Sequence, residues 1–382
     1  MQRRLAAVPA VPGIFTVALM VGVFTLASHS AAGQTASGKS AAAAVQKAPP
    51  GGGAATRPAR RSVSARTPWG DPDLTGNYTT KDEMNTPMER PDEFAGRRIE
   101  DVTPQELAEL VAARQKNAVE TAPFITGSRA DGIAIGVPIH WLDHLEAVNS
   151  RPWLVIDPPD GKIPPRTEGS RQRPGPVSGF DNQTVRGRSV SDSYTDRSLG
   201  DRCIAFGGPN MVAGLYGASY QILQTKEYVA IRYEMIHETR MIPIEGRGAA
   251  RPHTTQNIRS YFGDAIARWD GNTLVIDTTN FSDRTTYRGA RAENLHLIER
   301  FTRVGPNKLE LKVTLDDPST YTRPWTYALP LTEDDGQPIF EYACHEGNYG
   351  LRNILAGARE DQKKGIEPSN GPAKPDLGEF EP

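Results

Sequence analysis

The chain is expected to be mainly β: an antiparallel meander forming a closed or half-open, lipocalin-like barrel. An irregular N-terminal wrap and short helices, one of them after the last strand, complete the expectation. Three observations lead there. Leu309, Leu311, Val313 and Leu315 alternate with Lys308, Glu310, Lys312 and Thr314, which puts one apolar and one wet face on a strand. Such alternation suits an antiparallel sheet covered on one side. Tight turn signals separate runs of this kind: Gly305-Pro306-Asn307 between Asn294–Val304 and Leu309–Leu315, Asp270-Gly271 inside Arg268–Thr273, and Asp334-Asp335-Gly336. Between Ser219 and Glu346 the short segments number about eight or nine, the spacing of a barrel or sandwich and not of a parallel α/β sheet.

Residues 1–33 read as a secretory signal peptide. Arg3 and Arg4 make a basic start, Ile14–Ala27 is apolar and uncharged, and Ser30-Ala31-Ala32-Gly33 supplies small residues for cleavage. The apolar run is too short for a membrane span, and no second long one follows. The expected location is therefore outside the cytoplasm, periplasmic or secreted. Just beyond, Gly33–Ser40 spells GQTASGKS, a literal phosphate-loop match. That motif works only between a strand and a helix, and the low-complexity Ala41–Gly53 follows instead, so no nucleotide or other cofactor is assigned.

Residues 34–66 hold six Lys or Arg and no Asp or Glu in an Ala/Pro/Gly background. Such a composition cannot bury enough apolar surface to fold, and it reads as a disordered basic linker. A weak contact with an anionic envelope surface is its one partner suggestion. With 44 Lys and Arg against 46 Asp and Glu over 382 residues, the near-neutral chain is not a general nucleic-acid binder.

An irregular N-terminal wrap is expected over 67–200. Thr67–Tyr78 is extended and turn-rich, with Trp69 and Tyr78 as packing residues. Thr103-Pro104-Gln105-Glu106 is a capping box with proline at the first helical position, and Leu107, Leu110 and Val111 form the apolar stripe behind it. A second short helix is expected over His140–Val148. Trp153–Ile156 is a brief strand stopped by Asp157-Pro158-Pro159-Asp160-Gly161, and 160–200 reads as a long loop. The barrel domain with its C-terminal helix is placed at 201–360 and a disordered tail at 361–382.

Eight motifs in order now become significant: TPWGDPDLTG (Thr67–Gly76), VIDPPDGKIPP (Val155–Pro165), DRSLGDRC (Asp196–Cys203), EMIHETRMIPIEGR (Glu234–Arg247), DGNTLVIDTTNF (Asp270–Phe281), ENLHLIERFTRV (Glu293–Val304), DDPSTYTRPW (Asp316–Trp325) and YACHEGNYG (Tyr342–Gly350). With them the chain resembles a family of exported bacterial proteins that has no assigned activity. The resemblance spans nearly everything after residue 66 and implies one structural unit. His140–Asn149 departs from the family's pattern, which weakens any role for His140 and His144.

Cys203 and Cys344 are the only cysteines. In an exported chain an even pair is most simply a disulfide, here tying the region before the strands to the last strand. A reactive thiol at Cys344, beside His345, is the alternative. Asn348 is expected to cap a helix carrying Leu351, Ile354, Leu355 and Ala358, laid against the sheet or across a barrel end.

Candidate chemistry comes from facing. Over Tyr228–His237, the side chains of Val229, Ile231, Tyr233, Met235 and His237 share the apolar face. In the other strand Leu295, Leu297, Glu299 and Phe301 point inward. His237 and Glu299 would thus be polar groups in an apolar interior, where a carboxylate needs a partner. Arg240, Arg300, Arg323 and His237 are the available ones. Tyr233 completes the candidate ligand-binding set of His237, Glu299, Arg240, Arg300, Arg323 and Tyr233. A structural ion pair or core histidine is the plainer reading of the same residues. His140 and His144 have the i, i+4 spacing of a metal pair, but no third ligand is apparent and no metal is assigned.

Two functions stay open. One is a barrel that binds a small apolar or amphipathic molecule. The other is an enzyme, a hydrolase or isomerase, using His237 and Glu299 with a nearby arginine.

Overall fold

A computed structural model describes residues 62–126, 148–172, 184–185, 188–189, 191, 193–209, 211, 217–248, 251–288 and 290–366. The segment read as a signal peptide, most of the segment read as a basic linker, the helix expected over His140–Val148 apart from Val148, and the chain beyond 366 lie outside them. Among the described residues there are fourteen strands and three α-helices. The strands are β1 (Gly76–Thr79), β2 (Val155–Asp157), β3 (Thr184–Val185), β4 (Arg188–Ser189), β5 (Ser219–Gln224), β6 (Tyr228–Tyr233), β7 (Thr239–Pro243), β8 (Asp264–Asp270), β9 (Thr273–Thr279), β10 (Thr286–Tyr287), β11 (Ala290–Arg291), β12 (His296–Gly305), β13 (Lys308–Asp316) and β14 (Trp325–Glu333). The helices are α1 (Pro104–Thr126), α2 (Glu168–Gln172) and α3 (Gly350–Lys363).

Nine strands form one continuous row in the order β7-β6-β5-β1-β14-β13-β12-β9-β8, and β2 adds to β14 beside β1. Every neighbouring pair in the row is antiparallel. Strand direction therefore alternates, and the first and ninth strands must point the same way. The row curls until its ends meet, and the meeting is parallel as that count demands. Ile244, just past β7, forms a parallel bridge to Ala267 on β8, and the Glu245 N–H donates to the Ala267 carbonyl at 2.7 Å. The barrel is thus nearly closed, with little free edge to pair with another chain.

The expected hairpins explain most of the row. His296 to Gly305 pairs with Lys308 to Asp316 across Pro306-Asn307. Asp270 faces Thr273 across Gly271, whose φ of 58° is in the left-handed region a tight turn needs. Leu309, Leu311, Val313 and Leu315 all point into the core and are almost fully buried. Inward residues of β5, β6, β9, β12 and β14 meet them in one cluster, with Tyr78, Tyr220, Ile231, Ile276, Phe301 and Trp325 among its largest members.

Four details differ from expectation. Gly76–Thr79, read as part of the wrap, is a barrel strand that joins β5 to β14; four residues are too few to show a period of two. Asp334-Asp335-Gly336 turns the chain, with the Gln337 N–H donating to Asp334 O at 3.1 Å, but no strand follows. Pro338 has no N–H to give a ladder, and Cys344 consequently lies in a loop. Asn348 does not cap α3; Tyr349 occupies that position without a side-chain bond, and Asn348 Nδ2 donates to Cys203 Sγ at 3.3 Å. Finally, α3 has no fully buried residue: of the expected apolar stripe Leu351, Leu355 and Ala358 are half-buried and Ile354 is exposed.

The capping box of α1 is formed. Thr103 N–H donates to Glu106 Oε2 at 2.8 Å, and Glu106 N–H donates to Thr103 Oγ1 at 3.2 Å. Cys203 and Cys344 are joined, with Cα atoms 5.7 Å apart and 141 residues between them in sequence.

Candidate functional site

The inward face of β12 carries Leu297, Glu299 and Phe301, as its alternation requires. Glu299 is 1% exposed. Its partner is Arg240 on β7, which stands opposite Ile231 and so points inward too. Arg240 Nη1 donates to Glu299 Oε2 at 2.7 Å and to Tyr233 Oη at 3.2 Å, while Nη2 donates to Thr278 Oγ1 at 3.0 Å. The arginine reaches across the closing seam, from β7 past β8 to β9 and β12. Burial raises the Glu299 carboxyl above the ordinary glutamate value, and Arg240 pulls the other way. Burial likewise raises the Tyr233 phenol.

This cluster is incompletely bonded. Arg240 Nε is buried and has no acceptor among the described residues. Among the same residues Glu299 accepts a hydrogen bond from Arg240 alone. Buried polar atoms are nearly always bonded, and an exception asks for a cause.

A second polar group occupies the same interior. Tyr327, inward on β14, and Tyr287 on β10 bring their hydroxyls to 3.0 Å. Arg288 lies over the Tyr327 ring, 4.6 Å from its centroid, and donates through Nη2 to Met211 O at 3.3 Å. Burial raises the Tyr287 phenol well above its usual value, and the Glu299 charge adds to that. A third inward arginine, Arg303, donates to Tyr78 Oη at 2.7 Å and Glu333 Oε2 at 3.2 Å.

Glu299, Arg240 and Tyr233 are therefore brought together, and His237, Arg300 and Arg323 are not. The alternation on β6 stops at Tyr233. Ile236 and His237 then take left-handed backbone angles, φ 60° and 48°, and reverse the chain into β7. Ile236 is buried and His237 is turned out, its Nδ1 3.1 Å from Tyr342 O. Arg300 sits on the outer face of β12, bound to Asp270 at 2.6 Å. Arg323 is exposed and pairs with Asp157 at 3.3 Å. The His237–Glu299 pair that the enzyme reading requires is not assembled.

A cluster that sequence reasoning missed lies on the outer face of β8, β9 and β12. Asp277 receives His253 Nε2 on one oxygen at 3.2 Å and His296 Nε2 on the other at 2.8 Å. His253 Nδ1 is 3.3 Å from Asp264, which also binds Arg251 at 2.6 Å and accepts from the Thr254 N–H at 2.6 Å. Alternation could place Asp277 and His296 on one face; the loop bearing Arg251 and His253 has no periodicity to betray it. Asp277 lines an open cleft of about 620 Å³ with Glu245, Arg251, His253 and Arg268. Burial pushes the Asp264 carboxyl up, but Arg251 and the two donors of Thr254 outweigh it and hold it at about 2. The Asp277 hydrogen bond raises His296. Among the described residues no three His, Cys, Asp or Glu side chains are arranged to hold a metal ion.

No protein-family model and no curated protein matches the chain. Among solved structures, a point mutant of the fluorescent protein UnaG is similar at 12% identity, over 35% of this chain and 84% of that one, with a TM-score of 0.20. At that score the likeness decides nothing, and the barrel rests on the strand pairing above.

Proposed function

We propose that this protein is an exported binder that holds a small apolar or amphipathic molecule inside its barrel. The observation that carries the reading is the Arg240–Glu299 cluster: an ion pair in an apolar interior where, among the described residues, Arg240 Nε is unused and the carboxylate accepts one hydrogen bond. A few polar groups with spare bonding capacity among apolar walls are the usual make-up of a small-molecule site. The disulfide suits an oxidising compartment. No helix among the described residues is long and apolar enough to cross a membrane. A hydrolase or isomerase built on His237 has no comparable support, because that imidazole faces away from Glu299.

Native mass spectrometry of protein purified from its own host tests this. One small-molecule adduct per chain is expected, together with a rise in Tm on adding host extract that shrinks in Glu299→Gln. The amide oxygen of that variant still accepts from Arg240 but leaves its charge unneutralised, so the comparison is made at a temperature where the melt of the variant shows it folded. Protein free of adduct, with a Tm indifferent to extract, would overturn the proposal.

A further inference from the structure

Three arginines reach side chains of the barrel core, two of them buried and the third, Arg288, partly exposed, and the two buried ones meet a carboxylate. Arg240 has Glu299 at 2.7 Å and Arg303 has Glu333 at 3.2 Å. The third, Arg288, forms no ion pair among the described residues. Among the same residues it donates to the Met211 carbonyl and lies over the face of Tyr327, and its buried Nε has no acceptor there. A ring face attracts a cation but does not neutralise it. Arg288 is partly exposed, but its Nε is buried and lacks the acceptor that a buried donor needs.

The neighbouring groups favour the same kind of guest. Tyr287 and Tyr327 share one hydrogen bond. Only one hydroxyl donates in it, so the other phenol proton is left for a further acceptor. Arg288 also has a φ of 50°, a left-handed conformation that arginine rarely adopts. Strain of this sort collects where a side chain must be aimed. A positive charge, an unused N–H and an unused O–H thus lie close together around Arg288, Tyr287 and Tyr327, beside Met211.

We infer that the molecule held by the barrel is an amphipathic anion, with its carboxylate or sulfonate-type head on Arg288 and the Tyr287–Tyr327 pair and its apolar body in the core. This rests on the interior-binding reading above and adds the sign of the ligand's charge to it.

Two dyes with the same rings separate the ideas: anilinonaphthalene sulfonate, an anion, and N-phenylnaphthylamine, which lacks the sulfonate. Wild-type protein is expected to bind the anion about tenfold more tightly, the worth of one charge-assisted hydrogen bond. Arg288→Met should abolish the difference, and Arg288→Lys, which keeps the charge, should retain part of it. Laurate should displace the anionic dye and dodecanol should not. Equal affinities in the wild type, a preference that survives Arg288→Met, or displacement by inorganic phosphate alone would overturn the anionic amphiphile while leaving an interior binder standing. Failure of both dyes and of laurate to bind folded protein would remove the interior-binding reading itself. Melts of each variant report folding, and the wild-type dye pair decides the matter even if Arg288→Met does not fold.

Discussion

Arg240 and Glu299 meet at 2.7 Å across the seam where the first and last strands of the barrel row come together. The pair joins β7 to β12 from the inside, while a single parallel bridge between Ile244 and Ala267 joins β7 to β8 in the wall. Closure and interior chemistry therefore depend on the same arginine.

Arg240→Met strands a buried carboxylate. The expected loss is about 3–5 kcal/mol in urea unfolding at neutral pH. Glu299 in that variant holds its proton more tightly folded than unfolded. Its contribution is thus most favourable below the ordinary glutamate value and worsens as pH rises through the raised one. The deficit should shrink at acid pH, and Arg240→Met combined with Glu299→Leu should recover most of it. A loss that is the same at every pH would show that Glu299 is not the stranded group.

Reduction of Cys203–Cys344 opens a loop of 141 residues. The chain-entropy model assigns such a cross-link about 4–5 kcal/mol. Cys203→Ser with Cys344→Ser, or wild type in excess dithiothreitol, should melt well below the oxidised protein. Non-reducing peptide maps should recover the two cysteines in one linked fragment. Free thiols in protein purified from its own host without reductant would remove the cross-link.

Asp264 bears on acid stability. Its folded value of about 2 lies below the usual aspartate value. The stabilisation is complete above the unfolded value and is lost as pH falls towards the folded one, a change of about 2 kcal/mol. Asp264→Asn should be less stable than wild type at pH 6, and the gap should close on acidification towards pH 2. A gap independent of pH would point to packing instead of charge.

His296 should titrate above 6.5, because Asp277 stabilises its protonated form. The associated stability is present below the unfolded histidine value and fades as pH rises through the folded one. An NMR titration of the His296 ring reads the midpoint directly, and Asp277→Asn should lower it. A wild-type midpoint at or below 6.5 would mean that the Asp277–His296 bond does not hold in solution.

Much of the barrel is legible along the chain because a strand declares itself locally. The period of two in Leu309–Leu315 and in Leu295–Phe301 needs no knowledge of the partner strand, and it already turns Glu299 inward. Gly271 and Gly305-Pro306-Asn307 mark their hairpins by turn chemistry. The lone pair Cys203 and Cys344 left one pairing to make.

What only the tertiary structure decided is which distant groups meet. Arg240, Arg300, Arg323 and His237 were equal partners for Glu299 on residue type. Arg240 lies 59 residues away and is chosen because the barrel closes with β7 beside β8. Arg300 falls one residue from Glu299, and the same alternation that buries the glutamate puts it on the outer face. His237 is excluded by two left-handed residues that end the alternation at Tyr233, a break that no period of two foretells. Arg288 and His253 come from segments without periodicity, so their neighbours follow from how the chain folds over the barrel. Facing is a property of consecutive residues, whereas the meeting of side chains depends on register and closure summed over the whole sheet.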